Sequence, residues 1–234
     1  MHQQNPIPSS SLFVSSFKKP LIDEANHQSF DQQRYDGRAL TEEAASALSR
    51  ELLPLYVRAF LHSERAVAER GEEFLSDLCQ HLRGAERITT GSVGPYRSLL
   101  CGRSISTPQG VVFHLGGVLV DPALQGLGIG RRMLGEELLA TKADILTFHT
   151  QSRVMLALGE RFSEIDEVLA QQIAPLLQHR KLCGGVDEGR YGGQPLYGDP
   201  SGLRELAIPG LAVHRGDAIF VAGRVRKGLT EERE

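Results

Sequence analysis

The chain has 234 residues, of which 24% are charged and 41% hydrophobic, the balance of a globular domain in water. Its 26 lysines and arginines nearly cancel its 29 aspartates and glutamates, and the net charge of −3 disfavours a mainly electrostatic nucleic-acid binder. No apolar run reaches the roughly 18–20 residues that span a bilayer. Three scattered cysteines exclude a disulfide framework or a CxxC zinc site. We therefore expect a soluble, cytoplasmic protein without a nucleic-acid, membrane or metal partner.

Composition divides the chain into three parts. Residues 1–36 are rich in Gln, Ser, Asn and Pro, which predicts a flexible N-terminal tail. Residues 37–180 carry the periodic apolar patterns of a domain core. Residues 181–234 contain a Gly-rich loop and closing strands, which we assign to the same domain. The Gly-rich loop is open to two interpretations, an ordinary surface loop or a wall of a substrate site.

Within the core, the patterns predict helices first and a sheet afterwards. Thr41 is expected to cap a helix that reaches Leu61 and is kinked or divided by Pro54, and a second helix follows. The remaining predicted elements are strands at 87–93, 98–105 and 111–120, a helix at 129–141, a strand at 144–150, a helical stretch at 152–177 and a strand at 218–225. The first three strands are expected to form an antiparallel meander.

One segment points to chemistry, because a buried strand feeds a glycine-rich turn that opens directly into a helix. Glycines at 126, 128 and 130 leave the backbone accessible, and the free N–H groups of a helix N-terminus attract anions. A Walker loop requires Lys-Ser/Thr after the last glycine, but Arg131 and Arg132 follow here. A dinucleotide fingerprint also fits poorly, since its glycine spacing differs and its preceding strands are parallel.

The residues from Gln125 to Gly130 resemble the acyl-CoA motif of the GNAT acetyltransferase superfamily, Gln/Arg-x-x-Gly-x-Gly/Ala. The resemblance implies an α/β fold (α+β by some schemes), with a mixed, largely antiparallel sheet flanked by helices. It also implies a split between the fourth and fifth strands. Glycines at 116 and 117 fit it, because glycine inside a strand often marks a bulge.

The resemblance further implies which residues bind acetyl-CoA or another acyl-CoA. The strand residues Val118, Leu119 and Val120 would meet the pantetheine arm. The backbone of Gln125, Gly126, Leu127, Gly128, Ile129 and Gly130 would hold the pyrophosphate, and Arg131 would contact a phosphate. Arg132 is interpreted as a solvent-exposed helix residue. Ordinary core packing is the alternative for Val118 and Val120.

Transfer of an acyl group to an amine requires a base, which several family members provide as a Glu eleven residues before the motif. That position is His114, our catalytic candidate, with a hydrogen-bonded strand histidine as the alternative. His149 is the second choice. The tyrosine that the family often places after the fifth strand is missing. The general acid therefore stays open between Ser152 and a tyrosine of the C-terminal segment, Tyr191 or Tyr197, and catalysis by positioning alone is the alternative, since CoA thiolate is a tolerable leaving group.

The predicted function is transfer of an acetyl or other short acyl group from acyl-CoA to an amine, by direct attack in a ternary complex. The partners are acyl-CoA and an amine acceptor, for which a small molecule is preferred. Two alternatives stay open: a longer acyl donor on CoA or carrier protein, and a CoA-binding regulatory module without turnover. A homodimer is also left open, because oligomeric state cannot be read from this sequence.

Overall fold

The computed structural model describes residues 30–60, 62–177, 185–191, 196, 208 and 210–228. The strands in this part of the chain are β1 (Asp31–Asp36), β2 (Arg87–Val93), β3 (Tyr96–Thr107), β4 (Gly110–Val120), β5 (Ile145–Thr150), β6 (Ser163–Ile165), β7 (Val186–Asp187) and β8 (Ala218–Val225). The helices are α1 (Glu42–Ala59), α2 (Glu64–Gly84), α3 (Ile129–Thr141), α4 (Arg153–Phe162) and α5 (Glu167–Ile173).

The described strands form one sheet in the order β1-β2-β3-β4-β5-β8-β6, with β7 also paired to β8. Strands β2, β3 and β4 form the expected antiparallel meander. Among the described pairs, β4 with β5 is the parallel one, because α3 crosses between them. The sequence-based fold class, a mixed and largely antiparallel sheet flanked by helices, is confirmed.

Strands β4 and β5 part early, which confirms the expected split. Their pairing covers Val112–Leu115 against Ile145–Phe148, although β4 continues to Val120. On its other side β4 carries a bulge, because Cys101 pairs with Gly117 while the next residue of β3 pairs with Leu115. Gly116 is therefore the extra residue, as the paired glycines predicted. A bulge bends the strand locally, here at the point where the split begins.

The alternation of side chains along the strands creates cores on both faces of the sheet. One face buries residues of β3, β4 and β5 against α3 and α4: Leu100, Phe113, Leu115 and Phe148 against Met133, Leu134 and Phe162. The other face packs against two separate helical layers. The α1–α2 pair covers Ile88, Leu99 and Cys101, while α5 covers Val112, Ile145 and Phe220.

Strand β1 was not predicted, and it lies in the segment that we assigned to the tail. It pairs along its whole length with β2 at the edge of the sheet. Its sequence Asp-Gln-Gln-Arg-Tyr-Asp has no apolar alternation, because most of its residues are exposed. Edge strands often carry polar residues, so periodicity alone does not detect them. The rest of the predicted tail, residues 1–29, lies outside the described residues.

The predicted helix from residue 152 to 177 is interrupted. The structure divides it into α4, the short strand β6, α5 and a 3-10 turn at Ala174–Leu177. Asp166 begins α5, since its carboxylate accepts hydrogen bonds from Val168 and Leu169 N–H. Pro54, in contrast, does not divide α1. Within the described residues, no helix has both the length and the apolar character needed to cross a bilayer.

A buried carboxylate on α3 connects that helix to the first two strands. The side chain of Glu137 is fully buried, and its Oε1 lies 3.2 Å from Arg34 Nε. Arg87 Nε donates to Oε2, and Thr89 Oγ1 donates to Oε1 at 2.8 Å. A carboxylate withdrawn from water is stable only when its oxygens are paired in this way. Glu137 therefore fixes α3 against the sheet, and with it the turn that precedes α3.

We predict that Glu137→Ala lowers the free energy of unfolding by about 3 kcal/mol, because it removes the buried partner of two arginines. Urea denaturation measures the change. Glu69→Ala is the control: this residue is 57% exposed and pairs with Arg65, so about 0.5 kcal/mol or less is expected. Equal losses in both variants would contradict the role of Glu137.

His62 lies in an aromatic cluster between α1 and α2. Its ring stacks on Phe74 with centroids 4.4 Å apart, and on Tyr56 at 5.9 Å. Its Nε2 is buried without a hydrogen-bond partner among the described residues. Burial lowers the pKa of His62, and the positive charge of Arg70 lowers it further. The neutral imidazole is therefore the form that the fold stabilises.

We predict that His62 makes stability depend on pH between 7.5 and 5.5. The unfolded histidine titrates near roughly 6.5, above its folded pKa, so the unfolded chain binds more protons as pH falls through that value. The contribution of His62 is complete above this pH and is lost below it. In urea unfolding, His62→Gln should lose less stability over this range than the wild type. An identical loss would contradict the prediction.

Candidate active site

The turn after β4 is anchored to α1 by a buried ion pair. Asp121, directly after the strand, is 3% exposed, and its Oδ2 lies 2.6 Å from an Nη of Arg58. Its Oδ1 accepts a hydrogen bond from Ala123 N–H at 3.0 Å, which begins a short 3-10 turn. The charge of Asp121 is thereby neutralised close to the glycine-rich turn. This pairing also ties the position of α1 to the end of β4.

Two glycines of the motif have a backbone reason to be glycine. Gly126 and Gly128 have φ angles of +82° and +78°, a left-handed conformation that other residues adopt only with strain. At Gly130, an added Cβ would lie 3.4 Å from Cγ2 of Val120 and 3.8 Å from Cγ2 of Val118, which are ordinary van der Waals distances. The two left-handed glycines thus form the turn, and α3 begins close to β4.

The N-terminus of α3 lacks the cap that other helices of this chain have. Thr41, Ser63 and Ser152 each accept a backbone N–H with their side-chain oxygen at the starts of α1, α2 and α4. Gly128 occupies the same position before α3 and has no side chain to do this. The first N–H groups of α3 therefore face outward without a side-chain acceptor, the arrangement that favours a bound anion.

The structure brings the other predicted binding residues to the same place. Val118, Leu119 and Val120 lie on β4 beyond its last pair with β5. Gln125 closes the turn onto the strand, because its Nε2 donates to Val120 O at 3.2 Å. Leu127 is exposed on the turn, and Ile129 is buried beneath the start of α3.

The two arginines that follow differ in their surroundings. Arg132 pairs with Glu136 at 3.0 Å and lies over the ring of Phe30, so it is engaged within the fold. Arg131 is exposed and has no ion-pair partner in the described part of the chain. Both line a groove of about 510 Å³ together with Arg161, Arg226 and Lys227. Arg131 is therefore the one of the two that is available to an anionic ligand.

His114 lies on β4 just before the strands part. It is 8% exposed, and its Nδ1 is 3.0 Å from the hydroxyl oxygen of the buried Thr147 on β5. Thr147 is also its register partner across the parallel pair. The contact fixes the orientation of the ring, and it fits both interpretations, a positioned base and a satisfied strand histidine.

His149 and Asp187 complete a group of polar residues beside His114. The rings of His114 and His149 meet edge to face, with centroids 6.0 Å apart. His149 Nε2 lies 3.1 Å from Asp187 Oδ2, an ion-pair distance without the angles of a hydrogen bond, and both side chains are only 5% exposed. We did not identify Asp187 from the sequence, because it lies in the Gly-rich C-terminal segment and no spacing connects it to the motif.

Described residues of the C-terminal segment make backbone contacts with the side chain of Gln151. Its Nε2 donates to Asp217 O at 2.8 Å, and its Oε1 accepts Leu196 N–H at 3.3 Å. Asp217 in turn accepts Gly189 N–H, and this hydrogen bond lowers the pKa of the Asp217 carboxyl. The described parts of the segment are thus fixed close to His149.

Of the remaining chemical candidates, Tyr191 is half-buried, and its backbone N–H donates to Gly216 O at 3.0 Å. Ser152 Oγ caps α4 by accepting Val154 N–H. Cys101 is buried, and burial raises the pKa of its thiol to about 12, so it is an unreactive core residue. Tyr197 lies outside the described residues. Within the described ranges, no cluster of His, Cys, Asp and Glu has the arrangement of a metal site.

Comparison with known proteins gives structural matches without sequence matches. No family model matches the chain. No curated protein matches it either. Among solved structures, an IAA acetyltransferase from Bacillus cereus has a TM-score of 0.43 and 17% identity, over 84% of this chain and 99% of its own. An aminoglycoside 6'-acetyltransferase type Ii has a TM-score of 0.44 and 11% identity, over 83% and 96%.

A third solved structure contains a bound molecule. An acetyltransferase from Bacillus subtilis in complex with CoA has a TM-score of 0.35 and 15% identity, over 85% of this chain and all of its own. Because these TM-scores are below 0.5 and the identities below 20%, the function of this chain has to be argued from its own residues. Over most of its length, the chain is similar to these solved acetyltransferase structures.

Proposed function

We propose that this chain is an acyl-CoA-dependent N-acyltransferase of the GNAT type, with acetyl-CoA or another short acyl-CoA as donor. One observation carries the proposal. The split between β4 and β5 and the uncapped N-terminus of α3 both follow from the C-terminal end of β4. A ligand with an extended arm and a pyrophosphate matches these two features together. Neither feature alone would require such a ligand.

In this proposal, the extended pantetheine arm adds to β4 as a further strand would. Val118, Leu119 and Val120 face the split with their backbone, where β5 has already turned away. The pyrophosphate then occupies the start of α3, where the N–H groups from Gln125 to Gly130 surround it. Arg131 adds a positive charge beside that position. The interactions are backbone hydrogen bonds and one charge-assisted contact.

The acceptor in this proposal is an amine, with a small molecule preferred, that attacks the thioester directly. The amine must lose a proton as the C–N bond forms, and His114 is the group that we assign to accept it. The contact of its Nδ1 with the Thr147 hydroxyl, at 3.0 Å, holds the imidazole in place on β4. The ring is thus oriented before the acceptor arrives, which reduces the cost of reaching the reactive geometry.

We predict that Gly128→Glu weakens acetyl-CoA binding by roughly tenfold or more, about 1.4 kcal/mol, in calorimetric titration. The added carboxylate would occupy the position of the pyrophosphate and repel its negative charge. Two control variants separate the possible causes. Gly84→Glu adds the same charge at an open position, and Gly128→Ala adds the left-handed strain without the charge. Wild-type protein that binds neither acetyl-CoA nor CoA would contradict the proposed function.

We predict that His114→Gln lowers kcat by about 10²- to 10⁴-fold while acetyl-CoA affinity is retained, because only the proton acceptor is lost. A thiol reagent that detects released CoA gives the rate, with ethanolamine, putrescine, lysine and benzylamine as acceptors. His81→Gln, a change at an exposed helix position, is the matched control. Tight binding by the wild type without turnover of any amine would favour the CoA-binding regulatory module instead.

A further inference from the structure

The sequence does not identify the residue that protonates the leaving group of the proposed reaction, the thiolate of CoA. When the C–S bond of the thioester breaks, the thiolate of CoA must take up a proton. Helix α4, which follows β5, consists of Arg-Val-Met-Leu-Ala-Leu-Gly-Glu-Arg-Phe and contains no tyrosine or cysteine. The hydroxyl oxygen of Ser152 accepts a backbone N–H as the helix cap. If the enzyme provides an acid for this step, it comes from another element, and Tyr191 and His149 are described residues that could serve.

His149 occupies the position from which a proton can reach the split. The last residue of β5 that pairs with β4 is Phe148, so His149 is the first residue of β5 at the open part of the split. Its ring lies edge to face with His114, at 6.0 Å between centroids. Two buried imidazoles are therefore neighbours, one on each strand that borders the proposed thioester site.

Asp187 is an ion-pair partner of His149. The Oδ2–Nε2 distance is 3.1 Å, and at 5% exposure the carboxylate is almost withdrawn from water. A carboxylate at this distance favours the protonated form of an imidazole, whereas burial of the ring favours the neutral form. The pairing of β7 with β8 fixes Asp187 opposite Ala218. The pair is thus held by the sheet itself.

The other charged groups around the pair are few. Arg190 Nε lies 3.9 Å from Asp187 Oδ2 and is partly exposed. Arg103 on β3 is the exposed register partner of His114. The neighbour of His149 on β8 is the ring of Phe220, at 5.0 Å, which carries no charge. Within the described residues, Asp187 is therefore the charge closest to the His149 ring.

We propose that His149, supported by Asp187, is the general acid that protonates the CoA thiolate, while His114 accepts the proton of the amine; this inference rests on the proposed function. As the amine nitrogen bonds to the acyl carbon, one proton passes from nitrogen to His114. As the C–S bond breaks, the proton of His149 passes to sulfur. The products are an amide and CoA–SH, and the proton on His114 returns through solvent to His149. Asp187 acts as a positioning residue and transfers no proton.

The test is the pH dependence of kcat/KM for acetyl-CoA, measured with the amine of the panel that reacts fastest. The wild type should give a bell-shaped profile whose basic limb reports the proton on His149. His149→Gln should lower the rate by about 10²-fold and remove the basic limb. Asp187→Asn should move the basic limb to lower pH by about one unit or more, because the neighbouring charge is gone. His81→Gln should change neither the rate nor the profile.

The outcomes separate this inference from the function on which it rests. If the wild type transfers acetyl groups but Asp187→Asn and His149→Gln keep the basic limb in place, the acid is another group and the inference is wrong. A lower rate with an unchanged profile has the same meaning, since that is what a purely structural pair would produce. If the wild type neither binds acetyl-CoA nor acetylates any amine, the proposed function fails and the inference fails with it.

Discussion

The early separation of β4 from β5 is the constraint on which the rest of this structure depends. Buried backbone N–H and C=O groups need partners, and a sheet normally provides them along the whole strand. Here the pairing stops at Leu115 and Phe148, although β4 continues to Val120. The bulge at Gly116 occurs at the same point. The proposed ligand is the partner that this exposed stretch of strand would otherwise lack.

The surrounding structure keeps the site from relaxing. Glu137 fixes α3 to the first two strands, and Asp121 fixes α1 to the end of β4, each through a buried carboxylate with arginine partners. Buried pairs of this kind add little net stability compared with apolar residues, but their geometry is specific. In this chain, Asp121 lies at the start of the turn that carries the motif, and Glu137 lies further along the helix that follows it. They hold the N-terminus of α3 and the strand end in a fixed relation.

Local signals made the central part of the fold predictable. The helix α3 and the strands β2 and β8 have the bounds that their patterns predicted, and the paired glycines marked the bulge. The polar edge strand β1 was not predicted, because it buries too few side chains to show an apolar alternation. Asp187 was not predicted for another reason. It lies far from His149 in the sequence and is placed beside it by the pairing of β7 with β8. Such contacts depend on tertiary structure and leave no spacing to detect.

Hydrogen–deuterium exchange with and without saturating acetyl-CoA tests the central claim most directly, because it locates the ligand on the backbone. The account predicts slower exchange at the amides from Gly116 to Val120 and from Gln125 to Arg131. It also predicts unchanged exchange in α2, which lies against the far side of β2 and β3. Protection confined to other elements, or no protection under conditions of saturation, would contradict a ligand in the split between β4 and β5.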